Sequence, residues 1–238
     1  MKPLETEPAP AESIMVSALG PAQAIWIRPK PHNAPVGGLA KRALDVTVAL
    51  IMLVVFSPLM VGLALLVFTT SPGPILYHHR RVGYRKRSFG CLKFRTMVVN
   101  SDEFLQQHLE NNPEARLEWE QTQKLRDDPR VTSVGHVLRK LSLDELPQLI
   151  NVLRGEMSLV GPRPVLFDEL RRYGPSSRHY LRARPGITGL WQVSGRNNTT
   201  YKRRVAYDRA YVTNVNTATD IAILVQTLPA ALRSDETA

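Results

Sequence analysis

Hydrophobic and polar positions divide the 238-residue chain into three parts. Residues 1–38 are rich in Pro and Ala, sustain no apolar period and end in Gly37-Gly38, a composition that predicts a mobile leader. The start is acidic (Glu5, Glu7, Glu12) and no apolar run follows within it, so it does not match a secretory signal. Then, from Val46 to Tyr77, there is no charged residue, and Val46–Phe68 is a stretch of 23 almost wholly apolar residues. As a straight helix it would be roughly 34 Å long, enough to cross a bilayer. Residues 75–238 return to mixed patterning. "PILYHHRRVG" and "FGCLKFRTMVV" read as two short strands joined by a basic turn. A polar helical pattern runs from Ser101 to about Arg126, interrupted at Asn112-Pro113, and a short helix covers Val134 to Lys140. Another helix starts within "SLDELPQLINVLRGEM" and runs to about Arg154, with Gly155 as its stop signal. In the tail "TDIAILVQTLPAALR", Ile221, Leu224, Val225 and Leu228 fall at helical spacing and predict a C-terminal amphipathic helix. The expected fold is α+β and largely helical.

The apolar run admits two topologies. One is a single span. The other is a re-entrant helix–break–helix over residues 39–74, which enters one leaflet and returns. Ser57-Pro58 sits in mid-run, where Pro58 removes a backbone donor and crowds the preceding turn; Ser57 can satisfy a freed carbonyl. Lys41 and Arg42 precede the run, and Arg80, Arg81, Arg85, Lys86 and Arg87 follow it. Positive charge stays on the cytoplasmic side, so a run flanked by it at both ends favours the second topology.

Charge adds one constraint. Thirty-one Lys and Arg against 21 Asp and Glu give a formal charge of +10, which favours anionic partners: nucleic acid, acidic lipid or phosphorylated substrates. The basic residues are dispersed and no finger, homeodomain or basic-zipper pattern occurs, which argues against nucleic acid. Cys91 is the single cysteine, so no intramolecular disulfide and no cysteine-based zinc site can form. Its apolar context predicts a buried, inert thiol. His78 and His79 point to opposite sides of a strand and do not make a metal site together.

The candidate chemistry centres on Asp144 and Glu145. Locally, Ser142-x-x-Glu145 matches a capping box, or Asp144 is itself the N-cap with Pro147 in the first turn. The same position suits catalysis. A helix start favours an ionised carboxylate and a nearby phosphate. Neighbours on a helix point about 100° apart, so the two acids should have different tasks, one attacking and one holding metal. A carboxylate attacking a phosphate needs its repulsion neutralised by magnesium and cations. Lys93 in "KFRT", Arg139, and Arg163 held between Pro162 and Pro164 are the cations on offer.

Four segments in order, "KRALDVTVAL…SPL", "GCLKFRTM", "LRKLSLDELPQLINVLRGEMSLVGPRP" and "RPGITGLWQVSGRN", resemble the bacterial sugar transferase family, the monotopic polyprenyl-phosphate phosphoglycosyl transferases. The likeness covers about residues 39–230 and is nearest to the exopolysaccharide branch. It implies transfer of a hexose 1-phosphate, galactose or glucose, from a UDP-sugar to undecaprenyl phosphate with release of UMP. It implies Asp144 as nucleophile through a phosphosugar-aspartyl intermediate, Glu145 as the Mg²⁺ ligand, and Lys93, Arg139 and Arg163 as phosphate-stabilising cations. Arg184, Arg196 and Asp208 fall on family motifs as substrate-pocket candidates. The resemblance also implies a re-entrant membrane helix bent at Ser57-Pro58, a catalytic domain over residues 75–238, contact with membrane lipid, and a place on the cytoplasmic face of the bacterial inner membrane. Oligomeric state stays open, a homo-oligomer included. The competing reading is a non-enzymatic, basic, membrane-bound protein that recruits acidic partners or nucleic acid.

Overall fold

The apolar run folds as one helix, α1 (Gly38–Thr70), and the segment after it as an antiparallel hairpin of β1 (Leu76–Val82) and β2 (Ser88–Phe94). Then come α2 (Ser101–Asn111), α3 (Pro113–Thr122), α4 (Ser133–Lys140), a single 3₁₀ turn at Leu143–Glu145, and α5 (Gln148–Arg154). The remainder is β3 (Ser158–Val160), α6 (Phe167–Arg171), a further 3₁₀ turn at Gly174–Ser176, α7 (Ser177–Tyr180), β4 (Gly186–Thr188), α8 (Leu190–Val193), α9 (Tyr201–Thr213) and α10 (Thr217–Leu232). The computed structural model describes residues 34–122, 124–195 and 199–232, and those from Pro35 on form one compact unit. Nearly all of the predicted leader lies outside the described residues. The fold is α+β and largely helical, as expected.

Pro58 does not interrupt α1. Its ring removes the N–H that would have bonded the Val54 carbonyl four residues back, and the Ser57 hydroxyl donates to that same carbonyl at 2.8 Å. The hydrogen-bonded helix is thus continuous through Ser57-Pro58, the serine hydroxyl meeting the carbonyl that Pro58 leaves free. One stripe of α1 is buried: Lys41, Asp45, Ala49, Leu63 and Val67. The opposite side leaves Ile51, Val54, Val55, Val61, Leu65 and Phe68 between 56% and 67% exposed. An apolar surface of that extent, with no charged residue among its exposed positions from Val46 to Thr70, is suited to lipid rather than water.

Both ends of α1 are tied to the same folded body. At the start, Lys41 donates to Asp220 of α10 at 2.8 Å. Asp45 accepts from the Ser158 hydroxyl and the Leu159 N–H of β3, each at 3.0 Å. Arg42 donates to the Val152 and Leu153 carbonyls at 2.6 and 2.9 Å, satisfying the free carbonyls at the end of α5. At the other end, Leu63 and Val67 pack with Phe94 of β2 and Leu138 of α4. Arg95 donates to the Ser71 and Pro72 carbonyls just beyond the helix.

The hairpin register pairs Leu76 with Phe94 and Val82 with Ser88. Side chains alternate across a pleat, so Tyr77, His79, Cys91 and Lys93 share one face while Leu76, His78, Leu92 and Phe94 share the other. The two histidines do face opposite ways. Cys91 is 3% exposed, and burial pushes its thiol up to about 11, so it stays protonated. Helices α2 and α3 divide at Asn112-Pro113 as predicted. Asn112 accepts from the Glu114 and Ala115 N–H groups, capping α3, with Pro113 as its first residue. Gly155 ends α5 at φ +79°, with the Glu156 N–H bonded back to Asn151, a left-handed C-terminal cap.

Strands β3 and β4 pair in parallel and bring "GPRP" against "RPGITG". A Cβ placed on Gly186 would lie 2.1 Å from the Gly161 nitrogen, so only glycine permits this approach. On α10 the predicted helix forms, and its stripe is divided between core and surface, with Leu224 packed on the core. Asp220 and Ile223 are buried, whereas Ile221 and Val225 are 49% and 63% exposed. Polar anchors set the rotation: Asp220 binds Lys41, and Thr227 bonds Thr188 at 2.8 Å. The side chain of Leu228 lies outside the described residues.

Candidate active site

The acid pair is not at a helix N-cap. Asp144 and Glu145 lie in the 3₁₀ turn between α4 and α5; Ser142 sits at φ +55° with its side chain capping nothing, and Pro147 occupies the N-cap of α5. Neither the capping box nor the Asp144 cap forms, because the turn closes before the α-helix begins. The turn instead presents both acids to one ammonium. Lys93 Nζ donates to Asp144 Oδ2 at 3.1 Å and to Glu145 Oε1 at 2.7 Å. Asp144 is 6% exposed, while the Glu145 side chain retains 29% of its surface. The pair is thus divided in setting: one acid enclosed, the other open to a cleft.

That cleft is lined by Arg81, Lys93, Glu145, Gln148, Arg163 and Gln192, among others. Pro162 is fully buried and anchors its loop, so Arg163 projects from a fixed point and lies over the Trp191 ring at 6.0 Å. Arg204 approaches the same ring at 4.7 Å. Arg139 donates from Nε to the Thr96 hydroxyl at 2.9 Å, which orients the guanidinium near Asp144. The geometry therefore brings together Lys93, Asp144, Glu145, Arg139 and Arg163.

Ionisation follows from these neighbours. Burial pushes Asp144 above its ordinary value and the Glu145 charge adds to the effect; Lys93 and Arg139 oppose it. Glu145 is pushed up by burial too, but Lys93 and Arg163 outweigh that and hold it below its ordinary value. Lys93 is raised, since Glu145 and Asp144 together overcome the penalty of its burial. Cations, not a helix terminus, oppose protonation of Asp144. His79, on the cleft face of the hairpin, is lowered to about 4 by burial and by Arg81, Lys93 and Arg163, so it is neutral near pH 7.

Two of the three expected pocket residues, Arg184 and Asp208, make contacts of their own within the fold. Arg184 donates to the Gly155 carbonyl at 2.8 Å, at the end of α5. Asp208 is 3% exposed on α9 and accepts the Tyr173 hydroxyl at 2.8 Å. Burial raises its carboxyl to about 7 against the Tyr173 hydrogen bond. Arg196 lies outside the described residues.

Residue patterns alone do not point to Arg81, Gln148 and Gln192 in the cleft, nor to Asn151. Asn151 is fully buried. It accepts from the Leu92 N–H at 2.9 Å and donates to the Gly90 carbonyl at 2.8 Å. This clamps β2 onto α5 immediately beside Lys93. The one signal for it is an amide in the middle of the apolar stretch "LINVL", where a buried polar group must have partners.

Comparison with known proteins places these residues in a wider set. The profile described as "Bacterial sugar transferase" matches residues 36–234. The chain is 51% identical over 222 residues to the exopolysaccharide production protein ExoY of Sinorhizobium fredii, covering 92% of this chain and 98% of that protein. It is 53% identical over 195 residues to the undecaprenyl-phosphate galactose phosphotransferase of Salmonella typhimurium, covering 82% of this chain and 41% of that one. It is 38% identical over 227 residues to the UDP-glucose:undecaprenyl-phosphate glucose-1-phosphate transferase of Caulobacter vibrioides, covering 91% and 79% respectively.

Proposed function

The chain belongs to the bacterial sugar transferase family, and from that premise we propose that it transfers a hexose 1-phosphate from a UDP-sugar to undecaprenyl phosphate, the initiating step of exopolysaccharide repeat-unit synthesis. Relatives named for galactose and for glucose both match the chain, which supports a hexose donor of either kind. Family membership sets aside the non-enzymatic reading. The observation that carries the mechanism is Asp144: an enclosed carboxylate bonded to Lys93, with Arg139 opposing its protonation, next to an acid that opens into a cationic cleft.

In the first step an Asp144 oxygen attacks the β-phosphorus of the donor. A phosphorus–carboxylate bond forms, the bond to the bridging oxygen breaks, and UMP leaves with that oxygen. In the second step an acceptor phosphate oxygen attacks the same phosphorus and the carboxylate leaves, giving lipid diphosphate-sugar and free Asp144. Covalent catalysis divides one displacement into two. Lys93, Arg139 and Arg163 offset the charge gathering on the transferred phosphoryl group. Arg163 is the cheapest of these to order, being held between prolines and against an aromatic ring.

Glu145 suits a magnesium ion. It is ionised and open to the cleft, and Mg²⁺ binds through one or two carboxylates together with substrate phosphates rather than through an all-protein cage. When bound, the ion supplies positive charge to the donor diphosphate. The two-step scheme is tested with donor alone: enzyme without lipid acceptor should release UMP in a burst of about one per active site. Acceptor-dependent turnover with no burst would favour direct displacement instead.

The site belongs at the cytoplasmic face of the inner membrane, with α1 as a re-entrant helix. Its two ends are fixed to one folded body; a crossing helix would separate its ends by about 30 Å of hydrocarbon. Its exposed side is apolar, and basic residues flank both ends. Cysteines introduced as Leu39→Cys and Thr70→Cys should both react with a membrane-impermeant reagent from the cytoplasmic side only. Labelling of the Leu39→Cys protein from outside would establish a span.

A further inference from the structure

A second concavity lies on the far side of the hairpin from the cationic cleft. Met60, Ala64, Ile75, Phe94, Pro147 and Ile150 line it. Its volume is about 520 Å³, within the roughly 300–1,000 Å³ usual for ligand sites. Its walls are α1 beyond Pro58, the outer face of the hairpin, and the start of α5. Among the described lining residues only His78 is polar.

Two features define what this groove can hold. One lip is Val61, 59% exposed, on the same α1 surface as Leu65 and Phe68. The groove is therefore continuous with the apolar face assigned above to lipid. The inner end is Pro147, two residues after Glu145, while Phe94 directly follows Lys93. A slender apolar chain entering from the bilayer would thus run toward the acid pair. Side-chain alternation along β2 sends Lys93 to the cleft and Phe94 to the groove, so one strand separates a polar approach from an apolar one.

We infer that this groove holds the first isoprene units of the polyprenyl phosphate acceptor, with its phosphate directed to Lys93 and the acid pair and His78 offering a ring nitrogen along the way. The inference rests on the proposed reaction and adds the acceptor's route to it. The donor, charged and water-soluble, takes the cationic cleft. The acceptor takes the groove without leaving the membrane. Entry from two faces fits a reaction in which UMP departs before the lipid phosphate attacks.

The test fills the groove and follows each half-reaction. Ala64→Phe adds a ring to its wall at a half-buried alanine. The UMP burst with donor alone should keep its wild-type amplitude, while kcat/KM for undecaprenyl phosphate falls at least tenfold. An intact burst with unchanged acceptor kcat/KM would overturn the groove assignment and leave the covalent mechanism standing. A variant that loses both has lost its fold, and wild-type enzyme then decides. A short prenyl phosphate with a photoreactive group on its first units should crosslink to segments 60–64, 74–78 and 147–150. Crosslinks confined to residues 50–55 of α1, or lying in the cationic cleft, would overturn it. Absence of a donor burst in wild-type enzyme would count against the two-step reaction instead, while the crosslinks still report on the groove.

Discussion

Asp144→Asn is expected to reduce UMP release from the donor by roughly 10⁴-fold or more, the scale seen when a covalent nucleophile is removed from an otherwise intact site. The substitution preserves size. The amide oxygen still accepts from Lys93, and Glu145 remains as the second partner of that ammonium. Fold and donor binding should survive, so the loss should appear in the burst rate and not in the midpoint of thermal unfolding. Glu145→Gln offers the contrast. It leaves the nucleophile in place and should weaken the dependence on magnesium, with a burst that is slowed rather than absent. Wild-type-like UMP release from Asp144→Asn would move the nucleophile elsewhere.

Lys93→Ala is expected to cost about 10²–10³-fold in the same half-reaction, the range for loss of one preorganised electrostatic donor. It carries a second signature in pH. Asp144 must be ionised to attack, so the rate falls as pH drops through its pKa. Burial already raises that value above an ordinary aspartate's, and Lys93 pulls it back down. Removing Lys93 leaves burial and the Glu145 charge unopposed on that side, so the acid limb of the rate profile should move toward neutral pH. A purely structural role for Lys93 would lower the rate at all pH values without shifting the limb. Stability should suffer as well, because breaking an enclosed ion pair leaves carboxylate charge uncompensated, typically at about 3–5 kcal/mol for a fully buried pair and less for this one, with Glu145 partly open to solvent.

Local signals in the chain translated well where one element decided its own form. The basic-turn hairpin, the division at Asn112-Pro113 and the Gly155 stop are set by alternation, a proline and a glycine, all visible in a few residues. Features that depend on distant partners were hidden. Strands β3 and β4 have three residues each, too short for any period, and exist because Gly161 and Gly186 allow two backbones to meet. The rotation of α10 is set by Lys41, 179 residues from Asp220. The acid pair itself was legible as a pair, but not its turn: Ser142 and Pro147 both resemble helix-start residues, and only the closure of the 3₁₀ turn shows that the helix begins later. Lys93 lies 51 residues from Asp144. Charge alone offered it as one cation among many; family resemblance linked it to the acids, and the folded chain places it between them.

Most depends on a carboxylate becoming bonded to phosphorus. Enzyme incubated with UDP-hexose and magnesium but no lipid acceptor, then acid-quenched and digested with trypsin, should carry one hexose-phosphate on the peptide Leu141–Arg154. Fragmentation should place it on Asp144, and addition of undecaprenyl phosphate before the quench should discharge it. A peptide that stays unmodified while the same preparation turns over, or an adduct on Glu145, would contradict the proposed mechanism.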